Sequence, residues 1–183
     1  KPSSAASDVY KRQPQDIKGW TALVTGASSG FGKATAWRFA ELGCKLIIVA
    51  RRGDRLEALA SELKAKYQTE VFCLVLDMMD IEKVEKMDQL LPEQFRNVDI
   101  LVNNAGITRD GTLHRMDFEQ WNAVLQPNLS SCYNMCRNVI DGMRERGFGR
   151  IVNIGSVNGQ AGQYGQVKYA AAKSGIHGFT KAL

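Results

Sequence analysis

Short, nearly continuous apolar runs alternate along the chain with stretches in which apolar residues recur every three or four positions. Five runs have strand length: Thr21 to Thr25, Lys45 to Ala50, Val71 to Leu76, Ile100 to Asn103 and Arg150 to Ile154. Continuous apolar character, in place of strict alternation, predicts strands covered on both faces. After the second run, Leu56, Leu59, Ala60, Leu63 and Tyr67 fall on one stripe, which predicts a helix over Asp54 to Tyr67 with Asp54 and Glu57 spaced as a capping box. Asp80 is placed to cap a further helix whose stripe of Ile81, Val84, Met87 and Leu91 stops at Pro92. A longer helix should start at Asp117, with Gln120 at the reciprocal capping position and Phe118, Trp121, Val124 and Leu125 facing inward. Pro127 lies inside its span, Asp117 to Arg146, and should kink it. Strands alternating with helices predict βαβ units with right-handed crossovers, and so an α/β chain with a doubly wound parallel sheet between two helical layers.

Composition narrows the function classes. The chain has 183 residues, enough for one domain with its own core, and 24 Lys plus Arg against 19 Asp plus Glu give a charge of +5. The basic excess is scattered, and its tightest cluster is Arg51, Arg52 and Arg55, which argues against a nucleic-acid stripe or a polybasic membrane anchor. No run approaches the roughly 18–20 apolar residues of a membrane span, so a soluble protein is expected. Cys44, Cys73, Cys132 and Cys136 show no zinc-ligand spacing and predict reduced, packed thiols in a reducing compartment such as the cytoplasm, with no metal. Residues 1–16 lack an apolar core and a period and read as a disordered tail. Within them, Asp8 to Gln13 resembles the translation of a sequencing-adapter end, and the domain proper is expected to occupy residues 17–183.

The candidate chemistry begins after the first strand. Thr25-Gly26-Ala27-Ser28-Ser29-Gly30-Phe31-Gly32 leads directly into the helical run Lys33 to Leu42. Glycines allow a tight turn and bring backbone N–H groups close to a pyrophosphate, and the following helix presents its positive end to it. Gly26, Ser28, Ser29, Gly30, Phe31 and Gly32 are therefore candidate cofactor residues. At the end of the second strand, where an NAD site carries a carboxylate for the adenosine ribose, the sequence reads Ala50-Arg51-Arg52. Guanidinium groups there suit a 2′-phosphate, so NADP(H) is expected over NAD(H).

T-G-A-S-S-G-F-G (Thr25 to Gly32), N-N-A-G (Asn103 to Gly106), Ser156 and Y-A-A-A-K (Tyr169 to Lys173) occur in that order, and the chain from about Gly19 resembles the short-chain dehydrogenase/reductase family. That resemblance implies a Rossmann-type fold, a nicotinamide cofactor, a serine-tyrosine-lysine site and a homodimer or homotetramer. A free phenol, with a pKa of about 10, exchanges protons poorly at neutral pH without help. Tyr169 and Lys173 lie four apart on a helix and share a face, so the ammonium can stabilise a phenolate while reaching the cofactor. Ser156, just past the fifth strand, can donate a hydrogen bond to a substrate oxygen that gains charge. By the resemblance, Asn128 helps hold a proton-relay water, Asn104, Ala105 and Gly106 line the adenosine and ribose, and Asp77 lies near the adenine. His114 and His177 have no motif partner and read as surface or packing residues, and Trp20, Trp37 and Trp121 as packing residues.

The two halves resemble different subfamilies. Residues from Asn104 onward, with S-V-N-G-Q-A-G-Q-Y-G-Q-V-K-Y from Ser156 to Tyr169, are most similar to acetoacetyl-CoA reductases and 3-oxoacyl-carrier-protein reductases, which implies that Gln163, Tyr164 and Gln166 border the substrate. Gly19 to Gly106 is more similar to NADP-dependent 3-hydroxy acid dehydrogenases of the serine-oxidising type, as if two reads met near N-N-A-G. Family members continue past the Tyr169 helix into further strands and a substrate lid, so a C-terminally truncated domain is expected. Three readings follow: a reductase of 3-oxoacyl thioesters, a 3-hydroxy acid dehydrogenase, and a nucleotide-binding piece without turnover.

Overall fold

The computed structural model describes residues 16–183. Five strands form one parallel sheet: β1 (Thr21–Thr25), β2 (Lys45–Ala50), β3 (Val71–Val75), β4 (Ile100–Asn103) and β5 (Arg150–Asn153), in the order β3-β2-β1-β4-β5. The first three strands step outward in one direction, and the chain then returns to the other side of β1. The register pairs Thr25 with Val49, Val24 with Val102 and Asn103 with Asn153, so the carboxyl ends of all the central strands lie level. The reversal between β1 and β4 opens the crevice in which open α/β sheets bind ligands.

Alternation of side chains along each strand divides the core into two layers. Ala22, Val24, Leu46 and Ile48 pack beneath α1 (Gly30–Glu41) and α2 (Gly53–Tyr67), against Ala36, Ala40, Leu56, Leu59 and Leu63. Leu23, Ile47, Val49 and Leu101 point the other way, toward α3 (Ile81–Glu85), the turn at Met87–Leu90 and α5 (Ser131–Glu145), and meet Val84, Met87, Met135, Val139 and Met143. These are the three layers that the uninterrupted apolar strands predict. Trp20 stacks edge-on against Phe148 and Trp37 against Tyr67, both as packing residues. Among the described residues no helix is long and apolar enough to cross a membrane. The cysteines are free thiols, three of them buried and Cys73 half-buried. Of the expected tail only Asp16 is described, and its carboxylate accepts from the Lys18 N–H.

Three local expectations need correction. The second helix starts one residue early, with Arg52 at its N-cap position, so Asp54 sits in the first turn beside the helix dipole and forms no capping box. The stripe from Ile81 to Leu91 does not make one helix. Asp80 caps α3 through the Lys83 N–H, but the helix ends at Glu85 and tightens into the 3₁₀ turn, leaving Ile81 39% exposed. Phe118 is 76% exposed, although Asp117 and Gln120 do form the reciprocal cap of α4 (Phe118–Leu125). Lying first in the helix, Phe118 projects beyond the face that buries Val124.

Pro127 does not sharply break the chain. α4 runs into a π turn, Gln126–Ser130, and then directly into α5. A π turn tolerates the missing amide donor because it already departs from the regular ladder. Two shorter elements complete the chain: α6 (Asn158–Ala161) and α7 (Val167–Ala182).

Candidate active site

Backbone geometry explains the glycine loop. Gly26 and Gly30 have φ of +66° and +54°, in the left-handed region open to glycine. Gly32 has an ordinary φ, yet a Cβ there would collide with the Gly26 carbonyl oxygen and Asn104 Nδ2, so the helix approaches the loop as only glycine permits. No side chain caps α1 and no acidic residue occupies its first turn. Its N–H groups and positive end thus remain available to an anion.

This loop forms one wall of a cleft of about 450 Å³, within the usual range for ligand sites. Gly26, Ser28, Ser29, Arg51, Arg52, Asp77, Asn104, Ala105 and Gly106 line it, which gathers most of the expected cofactor residues in one place. Gly30, Phe31 and Gly32 belong to the same loop, and Phe31 is 80% exposed. Arg52 Nη2 donates to Ser28 Oγ at 3.0 Å and to Ser29 Oγ at 3.2 Å, so its guanidinium spans the gap between the second strand's end and the loop. Asp77 Oδ1 accepts from the Met79 N–H, holding the turn after β3. A cradle of glycine, an uncapped helix end and an arginine-serine cluster together suit the phosphates of a dinucleotide.

The opposite wall is tied to the loop by one hydroxyl. Thr25 Oγ1 accepts from the Asn104 and Ala105 N–H groups at 3.0 and 2.9 Å and donates to the Val102 carbonyl at 3.4 Å. Asn104 Nδ2 donates to the Thr25 and Gly26 carbonyls, so this side chain braces the glycine loop. Asn103 reaches across to Asn153 at 2.8 Å and joins the ends of β4 and β5.

Three chain segments converge at Gly106. The π turn delivers Asn128, fully buried, whose Nδ2 donates to the Ile107 and Val124 carbonyls at 2.7 and 2.8 Å. Among the described residues its Oδ1, a buried acceptor, has no donor. A Cβ at Gly106 would collide with that oxygen and would lie 3.7 Å from Lys173 Nζ. Lys173 is 4% exposed, donates to the Ile154 carbonyl at 2.7 Å, and places its ammonium 5.8 Å from the centre of the Tyr169 ring. Burial holds its pKa below the ordinary lysine value, with the neighbouring Cys132 thiol opposing the shift. The shared helical face thus does bring Tyr169 and Lys173 together.

The remaining expected residues take varied positions. Ser156 Oγ accepts from the Asn158 N–H at 3.1 Å and leaves its own proton to donate. Gln166 is buried, donating to Asp110 and accepting from Asn158 Nδ2, which also donates to Gln163. Tyr164 is 90% exposed. His177 packs closely against Gly155, and His114 lies exposed in a short turn. Sequence reasoning did not single out Thr25, Asn103, Asp110 or Lys168. Polar residues at the ends of apolar strands were the available signal for the first two.

Comparison with known proteins supplies independent findings. The family described as short chain dehydrogenase matches residues 20–183. An acetoacetyl-CoA reductase of Allochromatium vinosum is 47% identical over 165 residues, covering 88% of this chain and 66% of the relative. A 3-oxoacyl-(acyl-carrier-protein) reductase of Escherichia coli is 42% identical over 168 residues, covering 92% and 67%. A solved structure described as a short-chain alcohol dehydrogenase from Sinorhizobium meliloti superposes with a TM-score of 0.86 at 32% identity, covering 92% of this chain and 66% of that one. The chain thus spans about two thirds of the length of these relatives, and alignments of this length run through both of its halves.

Proposed function

Because this chain belongs to the short-chain dehydrogenase family, we propose that it carries the nucleotide-binding and catalytic part of an NADPH-dependent reductase of 3-oxoacyl thioesters, such as acetoacetyl-CoA or a 3-oxoacyl carrier protein. The convergence at Gly106, where Asn128 Oδ1 and Lys173 Nζ approach one point beside the Tyr169 helix, carries this reading. NADPH, when bound, supplies the hydride that reduces the substrate carbonyl.

The protein's own residues manage the charge and the proton. Tyr169 donates its hydroxyl proton to the substrate oxygen as negative charge develops there, while Ser156 donates a hydrogen bond to the same oxygen. Lys173 supports the phenolate electrostatically, and its burial strengthens that effect. Asn128 Oδ1 offers an acceptor beside Gly106, where Lys173 Nζ also lies, a suitable anchor for the donor that returns a proton to Tyr169. Ser28, Ser29, Arg51 and Arg52 favour the phosphate-bearing cofactor, and the buried free thiols suit a reducing compartment.

The test is turnover, followed as NADPH consumption with acetoacetyl-CoA and as NADP reduction with serine or 3-hydroxybutyrate. Reduction of the thioester is expected, and turnover of the free acids alone would reject it. Tyr169→Phe should lower kcat by about 10²–10⁴-fold while leaving NADPH affinity unchanged. NADPH binding without turnover in the parent, with no kinetic effect of Tyr169→Phe, would instead identify a nucleotide-binding piece.

A further inference from the structure

A second cleft, of about 470 Å³, lies outside the nucleotide site and is lined by Arg109, Asp110, Arg115, Gln120 and Lys168. Lys168 is the unusual member. It is 3% exposed, and among the described residues it has no hydrogen-bond or ion-pair partner. Its stem is buried while its ammonium reaches the cleft, as long cationic side chains commonly do. Its Nζ lies 3.8 Å from where a Cβ on Gly111 would stand, at the cleft wall.

Charge around this group accumulates on one side. Arg109 and Arg115 add two exposed cations, and Asp110 is the one acidic residue in the lining. Asp110 Oδ1 is already engaged, accepting from Thr108 Oγ1 and Gln166 Nε2 at 3.0 Å each. Lys168 is the second residue of α7, a helix of 16 residues with no side-chain cap and no acidic group in its first turn. The helix end therefore adds to the positive potential. The Gly111 N–H donates to the Gly165 carbonyl at 2.8 Å, which fixes this cleft to the loop leading into the Tyr169 helix.

We propose that Lys168, Arg115 and Arg109 form a phosphate-binding subsite that holds the phosphate at the end of a pantetheine arm, a reading that rests on the thioester function proposed above. Geometry excludes the carboxylate of a short keto acid as its ligand. Successive helical residues diverge by about 100°, so the Lys168 ammonium and the Tyr169 hydroxyl project apart and cannot both touch so small a molecule. A phosphate joined to the carbonyl through the long pantetheine arm can reach one while the thioester meets the other. Coenzyme A carries this phosphate within a diphosphate and a carrier protein as a phosphodiester, so both present an anion at the same end of the arm.

Binding and kinetics test the assignment separately. The parent should bind 4′-phosphopantetheine about tenfold more tightly than pantetheine, the value of one charge-assisted contact. Lys168→Met and the exposed Arg115→Gln should each bring that ratio close to one, leaving affinity for pantetheine and NADPH unchanged. Arg52→Ala should leave the ratio intact. With acetoacetyl-CoA and with an acetoacetyl carrier protein, the two variants should raise KM at constant kcat; a rise with only one of them identifies which carrier is used. KM for acetoacetyl-pantetheine should not move. A ratio near one in the parent, a ratio that survives in both variants, or a ratio abolished by Arg52→Ala alone overturns the subsite. Preferential phosphopantetheine binding without thioester reduction removes the proposed function and keeps the subsite. Thioester reduction with equal KM for acetoacetyl-CoA and acetoacetyl-pantetheine does the reverse.

Discussion

Replacing Arg52 by Ala should lower affinity for NADPH far more than affinity for NADH. The guanidinium donates to both Ser28 and Ser29, which hold it at the mouth of the cleft before any ligand arrives. A cation and an anion about 4 Å apart attract by about 1 kcal/mol in bulk water and about 4 kcal/mol at the effective dielectric near a protein surface. Arg52 is exposed but pre-positioned, which places its contribution between these limits, at about 2 kcal/mol. That corresponds to about thirtyfold weaker NADPH binding. NADH lacks the 2′-phosphate and should lose less than about threefold, since the remaining contacts of the loop are untouched. Isothermal titration of both cofactors against parent and variant measures the two losses directly. Adding Arg51→Asp to the same chain should widen the difference, because a carboxylate there repels the phosphate and favours a ribose hydroxyl. Raising ionic strength should narrow it through screening. Equal losses for NADPH and NADH, or unchanged NADPH affinity, would refute the reasoning.

Gly32→Ala should destabilise the fold by about 1–3 kcal/mol and abolish NADPH binding, since its Cβ meets the Gly26 carbonyl and Asn104; urea unfolding and cofactor titration check both effects. Asn128→Ala removes two hydrogen bonds from the π turn and should lower stability by about 2 kcal/mol, a fall of about 4–8 °C in Tm. Burial pushes the Cys132 and Cys136 thiols up to about 11, so a thiol reagent at about pH 8 should spare them in the folded protein and label them after unfolding. Because these folded-state values lie above the ordinary 9.0, their stabilising effect is complete below that pH and disappears as pH rises through about 11. Lys173, shifted downward by burial, has the opposite slope below its ordinary value of 10.5, and the thiol effect is isolated by comparing Tm across pH with Cys132→Ala.

Much of the architecture was legible because each central strand buries both of its faces, so its apolar run is uninterrupted. The glycine loop was legible for a related reason, as its left-handed turn and close helix approach leave few residue types possible. Local helix details were less so. Asp54 and Glu57 match a capping box in spacing, yet the structure starts the helix at Gly53, and spacing alone does not fix the frame. Ile81 and Phe118 fit helical stripes, but each stands at the first residue of its helix, where the face toward the core has not yet formed. Pro127 signalled a disturbance without indicating its kind, since a kink and a π turn both tolerate a missing donor. In the site, residues carried by a motif were visible, whereas Lys168 was hidden beside Tyr169 and acquires meaning only when the loop at Asp110 packs near it.

The Thr25 hydroxyl joins two segments that are distant in sequence, and this has a mechanical consequence. Separating the glycine loop from the Asn104 segment means breaking three hydrogen bonds of one hydroxyl, two accepted and one donated. The two walls of the nucleotide cleft should therefore open as a single unit. Amide protons of Asn104 and Ala105 should exchange with solvent only through large-scale unfolding, while those in the exposed stretch around Arg109 exchange through local opening. A ligand that stiffens one wall would then stiffen the other, with no change in the shape of either.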